Sequence, residues 1–188
     1  MSGLLACLLI LTQANYAEES AKFEKIRDIS PNKKFAMRIL CDAEPKDPEN
    51  IDPSSIKAVE IVSLPAKEVV GSLADGIIYD GFSLVWSKES QWCAFHSSSG
   101  SRVSETSAYN LQDGKFVAAN AEELRIDVKG DIRNEYIKPL RWLKPGILLL
   151  EQLSMFRGGG ESTVQFTVRF DGHGKFQVIS KKKVPSKE

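Results

Sequence analysis

Apolar and polar residues alternate most cleanly from Thr163 to Phe170, where Val164, Phe166, Val168 and Phe170 are separated by Gln165, Thr167 and Arg169. A period of two predicts a strand with one buried face and one wetted face. Ile147 to Leu150 is instead a continuous apolar run, as in a strand buried on both sides. Read in this way, the chain divides into three groups of four short strands. The first group is 22–29, 34–40, 56–64 and 68–73; the second is 82–86, 91–96, 106–111 and 115–119; the third is 137–142, 147–152, 163–170 and 175–181. Arg125 to Lys129 also alternates, but Asn120 with Glu123 has the spacing of a helix cap, so the connector after the second group stays open to either reading.

The grouping is a repeat. A turn-like tetrapeptide precedes an apolar strand at Ser30-Pro31-Asn32-Lys33, at Ser87-Lys88-Glu89-Ser90 and at Leu143-Lys144-Pro145-Gly146, and Trp86 and Trp142 stand directly before the second and third of these. A second landmark keeps the same order: SLPAK at 63–67, NLQDGK at 110–115 and RFDGHGK at 169–175 each join two apolar runs. Asp113-Gly114 and Asp171-Gly172 are strong hairpin signals, because Asp and Gly tolerate the positive φ of tight turns. The pattern predicts an all-β chain of three consecutive four-stranded antiparallel meanders, at about 22–73, 82–119 and 137–182.

A four-stranded meander repeated in series is the plan of a propeller blade. VWSKESQWCAF at 85–95 resembles the W-S-P-D-G-x-x-(apolar) signature of TolB-type, WD40-like β-propeller repeats, and SPNKKFAM at 30–37 is similar to it. Only Pro31 keeps the proline, Asp-Gly is absent from both turns, and the third repeat matches mainly through Trp142. The resemblance implies propeller-blade-like repeats. Three blades are fewer than the about four to eight of a closed ring, so an open arc or half-propeller is expected. Two such chains meeting face to face, as a homodimer, would cover the exposed blade faces.

Composition settles the surroundings. Lys+Arg 25 against Asp+Glu 25 gives zero formal charge, without the basic footprint of a nucleic-acid binder. Leu4 to Thr12 is an uncharged apolar run, too short for the about 20 residues of a membrane span but suited to the core of a signal peptide. AlaAsnTyrAla at 14–17 then offers cleavage after Ala14 or Ala17, before Glu18-Glu19. Residues 1–17 are therefore assigned as a signal peptide and 18–188 as one mature β-repeat domain, periplasmic or secreted, with no transmembrane segment. Leu4-Leu5-Ala6-Cys7 lacks lipobox placement, since most of the apolar core follows Cys7. Cys41 and Cys93 remain after cleavage; an oxidising compartment permits a disulfide, but two buried thiols is the simpler state.

Chemistry is sparse. Residues 42–53 hold Asp42, Glu44, Asp47, Glu49 and Asp52 without the spacing of a calcium loop. His96 beside Ser97–Ser99 lacks a nucleophile elbow. No catalytic residue, cofactor site or metal site is assigned. The long segments 41–55, 97–105 and 153–162, with connectors 74–81 and 120–136, fall on one rim of the meanders, and insertions confined to one face mark a binding face. Arg102, Arg133, Tyr136, Met155, Phe156 and Arg157 are its candidate contacts, because aromatic, Met and Arg side chains are enriched at protein interfaces. The function expected is a non-catalytic interaction module for a protein or cell-envelope ligand; the alternative is a small extracytoplasmic hydrolase with a site on the same rim. Phe156 has a plainer alternative of its own, packing beneath its loop.

Overall fold

The computed structural model describes residues 21–75, 79–171 and 174–185; the predicted leader lies outside them. The described residues are all-β apart from one 3-10 turn, Pro53–Ser55. No helix among them is long and apolar enough to cross a membrane. The chain divides into two compact units, the first made of residues up to 29 with 34–78, the second of 30–33 with 79–188.

The first unit is the expected meander. β1 (Phe23–Arg27), β2 (Phe35–Cys41), β3 (Ile56–Ser63) and β4 (Val69–Asp75) pair antiparallel in chain order. Ala36 to Cys41 and Ala58 to Val62 are buried without a break, so both central strands are covered on both faces. That places two charged side chains in the interior. Arg38 and Glu60 are opposite one another in register, with Arg38 Nε 2.9 Å and Nη2 2.7 Å from Glu60 Oε2. Glu24 on β1 lies 3.6 Å from Arg38 Nη1 and also takes the Lys67 ammonium. Two carboxylates face two cations, so the network buries no net charge.

The second unit departs from the sequence expectation. β5 (Tyr79–Trp86), β6 (Trp92–Ser98), β7 (Val103–Gln112) and β8 (Lys115–Ala118) form the second predicted meander, and β9 (Ile132–Lys144), β10 (Ile147–Phe156), β11 (Glu161–Phe170) and β12 (Phe176–Val184) the third. They are not separate blades. β7 pairs in parallel with β9 at Val103↔Glu135 and Ser104↔Tyr136, which merges the eight strands into one sheet. The cause is a difference in length. Four-residue β8 covers only Tyr109–Gln112 of the β7 edge, and the thirteen-residue β9 occupies its start.

After Tyr136 the two strands part, and the two halves of the sheet close on a common core. Ala94 and Ala108 from one half pack with Ile137, Leu148, Leu150, Phe166, Val168 and Phe170 from the other. Trp92 stacks on Phe170 with centroids 5.6 Å apart and meets Trp142 at 5.5 Å. Trp142 Nε1 donates to Val85 O at 3.0 Å, tying β9 back to β5. Trp86, its counterpart in the repeat, instead packs edge-on against Phe116. The three separate meanders are therefore corrected: the second and third repeats share one eight-stranded sheet and a common core.

The connector 119–131 forms neither helix nor ladder. Leu124 and Ile126 are buried while Arg125, Asp127 and Lys129 are exposed, as the alternation predicts. Its backbone is paired by a side chain: Ile126 N donates to Gln152 Oε1 and Gln152 Nε2 donates to Ile126 O, both at 2.9 Å. Asn120 takes Ala108 N at 2.8 Å, so the helix-capping alternative is also set aside. Asp113 and Gly114 hold the positive φ of the β7–β8 hairpin, whereas Gly172 and His173 lie outside the described residues. Lys181 to Lys183 are exposed on β12, which closes the sheet order at one edge, where lysines oppose edge-to-edge pairing.

The buried pair in the first unit generates a stability prediction. Removing one partner strands the other charge, so Arg38→Ala should lose about 3–5 kcal/mol in urea unfolding. The double change Arg38→Met with Glu60→Leu should recover most of that loss, since apolar replacement of a whole pair is often neutral.

Candidate interaction surface

The strands run further than their alternation suggests, and the loops are correspondingly shorter. β10 and β11 stay paired to Met155↔Glu161, so the predicted 153–162 loop shrinks to the turn 157–160. β7 begins at Val103 and leaves only 99–102 between it and β6. These two turns and the start of β9 meet at one end of the second unit. Met155 is in register with Asn134, Phe156 with Ile132, and Glu135 N donates to Arg102 O at 2.9 Å.

All six predicted contact residues are at that end, but they divide by role. Tyr136 is structural in its hydroxyl: it donates to Ser101 O at 2.9 Å and accepts from Asn134 Nδ2 at 2.6 Å, holding the 99–102 turn to β9. Phe156 packs on Gly130 of the connector, where a Cβ would fall 2.7 Å from the ring. Gly130 also has φ +134, a conformation that suits glycine. Arg157 is exposed, with its N–H on Asp131 O at 2.9 Å and Nε 3.2 Å from Asp131 Oδ1. Arg102 and Arg133 are exposed, Arg133 Nε donating to Asn134 Oδ1, and Met155 is half-buried. Arg133 thus stands on a paired strand, and Arg102 and Arg157 on turns tied by backbone hydrogen bonds to Glu135 and Asp131.

A groove of about 450 Å³ lies beside this end, between β7 at Val103–Ser107 and the connector at Asn120–Arg125, with Glu135 and Ile137 in its wall. Its carboxylates are Glu105, Glu122, Glu123 and Glu135, with Arg125 as the cation. Arg125 Nη1 is 3.4 Å from Glu123 Oε2 and 3.8 Å from Glu135 Oε2. Glu135 also accepts from Gln152 Nε2 at 3.0 Å. The sequence reading missed this groove. Its acidic run Glu122-Glu123 was visible, but the parallel pairing that brings β7 and β9 beside it was not.

The remaining polar features are committed to structure. Asp52 Oδ1 caps the 3-10 turn by accepting Ser54 N at 2.9 Å, and Asp47 Oδ1 accepts Glu49 N. Among the described residues no group of three or more His, Cys, Asp or Glu could hold a metal ion. Cys41 and Cys93 are free and buried, and burial pushes both thiols up, Cys93 strongly. His96 Nδ1 sits 3.0 Å from Ile137 O, a carbonyl that also takes the Thr106 hydroxyl at 2.8 Å. A carbonyl only accepts, so Nδ1 carries the proton. Burial holds the imidazole below its ordinary value, backbone hydrogen bonds oppose that shift, and Lys138 adds to it.

No family model and no curated protein matches the chain. Among solved structures it is similar to TolB from Acinetobacter baumannii, at 13% identity and a TM-score of 0.38. The match takes in 84% of this chain and 32% of that one, so the chain spans about a third of that protein's length.

His96 sets the pH response. The unfolded imidazole binds a proton below its ordinary value of 6.5, whereas the folded one resists it. The unfolded state thus gains protons first, and stability should fall as pH drops through 6.5 until the folded imidazole is itself protonated. The melting temperature compared at about pH 7.5 and 5.5 should show this fall, and His96→Gln should flatten it across this window.

Proposed function

We propose that the chain is an extracytoplasmic, non-catalytic interaction module that binds a protein or cell-envelope ligand through the end of the second unit. The observation that carries the reading is the convergence of Arg102, Arg133 and Arg157 on three neighbouring segments, around Met155 and the ring of Phe156. The fork of an arginine suits carboxylate and phosphate, and Arg beside Met and aromatic side chains is the composition of contact surfaces. Here Phe156 and Tyr136 supply the platform and the arginines the contacts. His96, the side chain on which the hydrolase alternative leaned, spends Nδ1 on a backbone carbonyl.

Two experiments test the reading. Expression of the full chain followed by fractionation should yield an extracytoplasmic protein beginning at Glu18 or Asn15; cytoplasmic protein with an intact Met1 would overturn export. The exported protein, immobilised, should retain an envelope ligand that the R102A/R133A/R157A variant releases, at a loss of about 2 kcal/mol or more for an anchoring side chain. Equal retention by a triple variant with an unchanged circular dichroism melt would remove this surface from binding.

A further inference from the structure

The groove beside the arginine-bearing end has chemistry of the opposite sign. Four carboxylates and one guanidinium line it, so its walls carry a net charge of −3 from 1 − 4. Arg125 already reaches toward Glu123 and Glu135, at 3.4 and 3.8 Å, and this demonstrates that a guanidinium can be placed there without saturating the acids. Ser104, which also lines the groove, is 2% exposed, and its Oγ has no hydrogen-bond partner among the described residues. A buried hydroxyl without a partner is costly, and a donor entering the groove would relieve it.

The backbone adds a third element. Ala108 directs its carbonyl to Ala119 N and its N–H to Asn120 Oδ1, away from β6. Strand alternation turns the backbone of Thr106 the same way. Neither neighbouring ladder reaches it: β9 pairs at Val103 and Ser104, and β8 starts at Tyr109. An extended segment entering the groove would find main-chain groups of β7 as well as carboxylates.

We propose that this groove takes a lysine or arginine side chain from an extended segment of a protein partner. The inference rests on reading this end of the second unit as an interaction surface, and it names the partner chemistry: a basic residue for the groove, beside acidic groups for Arg102, Arg133 and Arg157. The carboxylates would take the cation, and Ser104 Oγ a donor.

The test uses the ¹⁵N-labelled full chain titrated with the peptide amide Ac-Ser-Thr-Lys-Thr-Ser and with the same peptide carrying Glu at its centre. The lysine peptide should shift the amides of residues 103–107 and 121–125, and the effect should fade at about 0.5 M salt, where exposed charges are screened. The double variant E105Q/E123Q, checked for an unchanged circular dichroism spectrum, should bind it about fivefold more weakly. Unchanged binding by that variant, or shifts confined to other residues, would overturn the proposal. A glutamate peptide that shifts Arg102, Arg133 and Arg157 while the lysine peptide leaves the groove unmoved would overturn the groove and leave the interaction surface standing. Absence of any effect from the lysine peptide, with the envelope ligand still retained by the arginine surface, would do the same.

Discussion

The second unit depends on how the outer edge of β7 is satisfied. Backbone N–H and C=O groups inside a protein must be paired, and a ten-residue strand next to a four-residue one leaves half an edge open. The chain fills it piecemeal. β8 takes Tyr109–Gln112, Asn120 and Ala119 take Ala108, and β9 takes Val103 and Ser104. The parallel ladder then stops, and the next acceptor on β9, Ile137 O, is spent on the Thr106 hydroxyl and the His96 ring. From this one edge come the merger of two repeats, their common core, and the groove where β9 and the connector stand apart from β7.

Buried polar side chains hold the places that ladders do not reach. Gln152 is fully buried and acts as a surrogate strand for Ile126, matching its N–H and C=O with one amide. An apolar residue there would pack against Leu124 and Ile126 but leave two backbone groups without partners. Arg38 and Glu60 have a comparable part in the first unit, with directionality that an apolar pair in the same register would lack. Burial of such a pair carries a desolvation cost that its own attraction offsets only with good geometry. Placing each opposite its partner on adjacent strands provides that geometry.

A chain of zero net charge carries a locally polarised surface. Arginines stand on the turns and on β9, and carboxylates line the groove a few residues away along the same strands. Arg102 precedes the Val103–Ser107 wall, and Arg133 precedes Glu135 by two positions. The polarity arises because β7 and β9 leave the rim side by side in parallel, so the sign of charge changes at the same height on both.

Strand positions were legible in the sequence because their determinants are local. Alternation from Thr163 to Phe170 follows from burial of one face, and Asp113-Gly114 marks a hairpin because those residues accept positive φ. The six candidate residues also lie together, since all sit near strand ends or in the turns between them on neighbouring segments. Which strands become neighbours is another matter. A period of two specifies the face a side chain occupies and is silent on the strand beside it, because backbone hydrogen-bonding groups are the same at every residue. Trp86 and Trp142 have equal places in the repeat, yet one packs on Phe116 and the other bonds to Val85 O. Their difference, the β7–β9 seam and the acidic groove were decided only when the shortness of β8 left an edge to be filled in three dimensions.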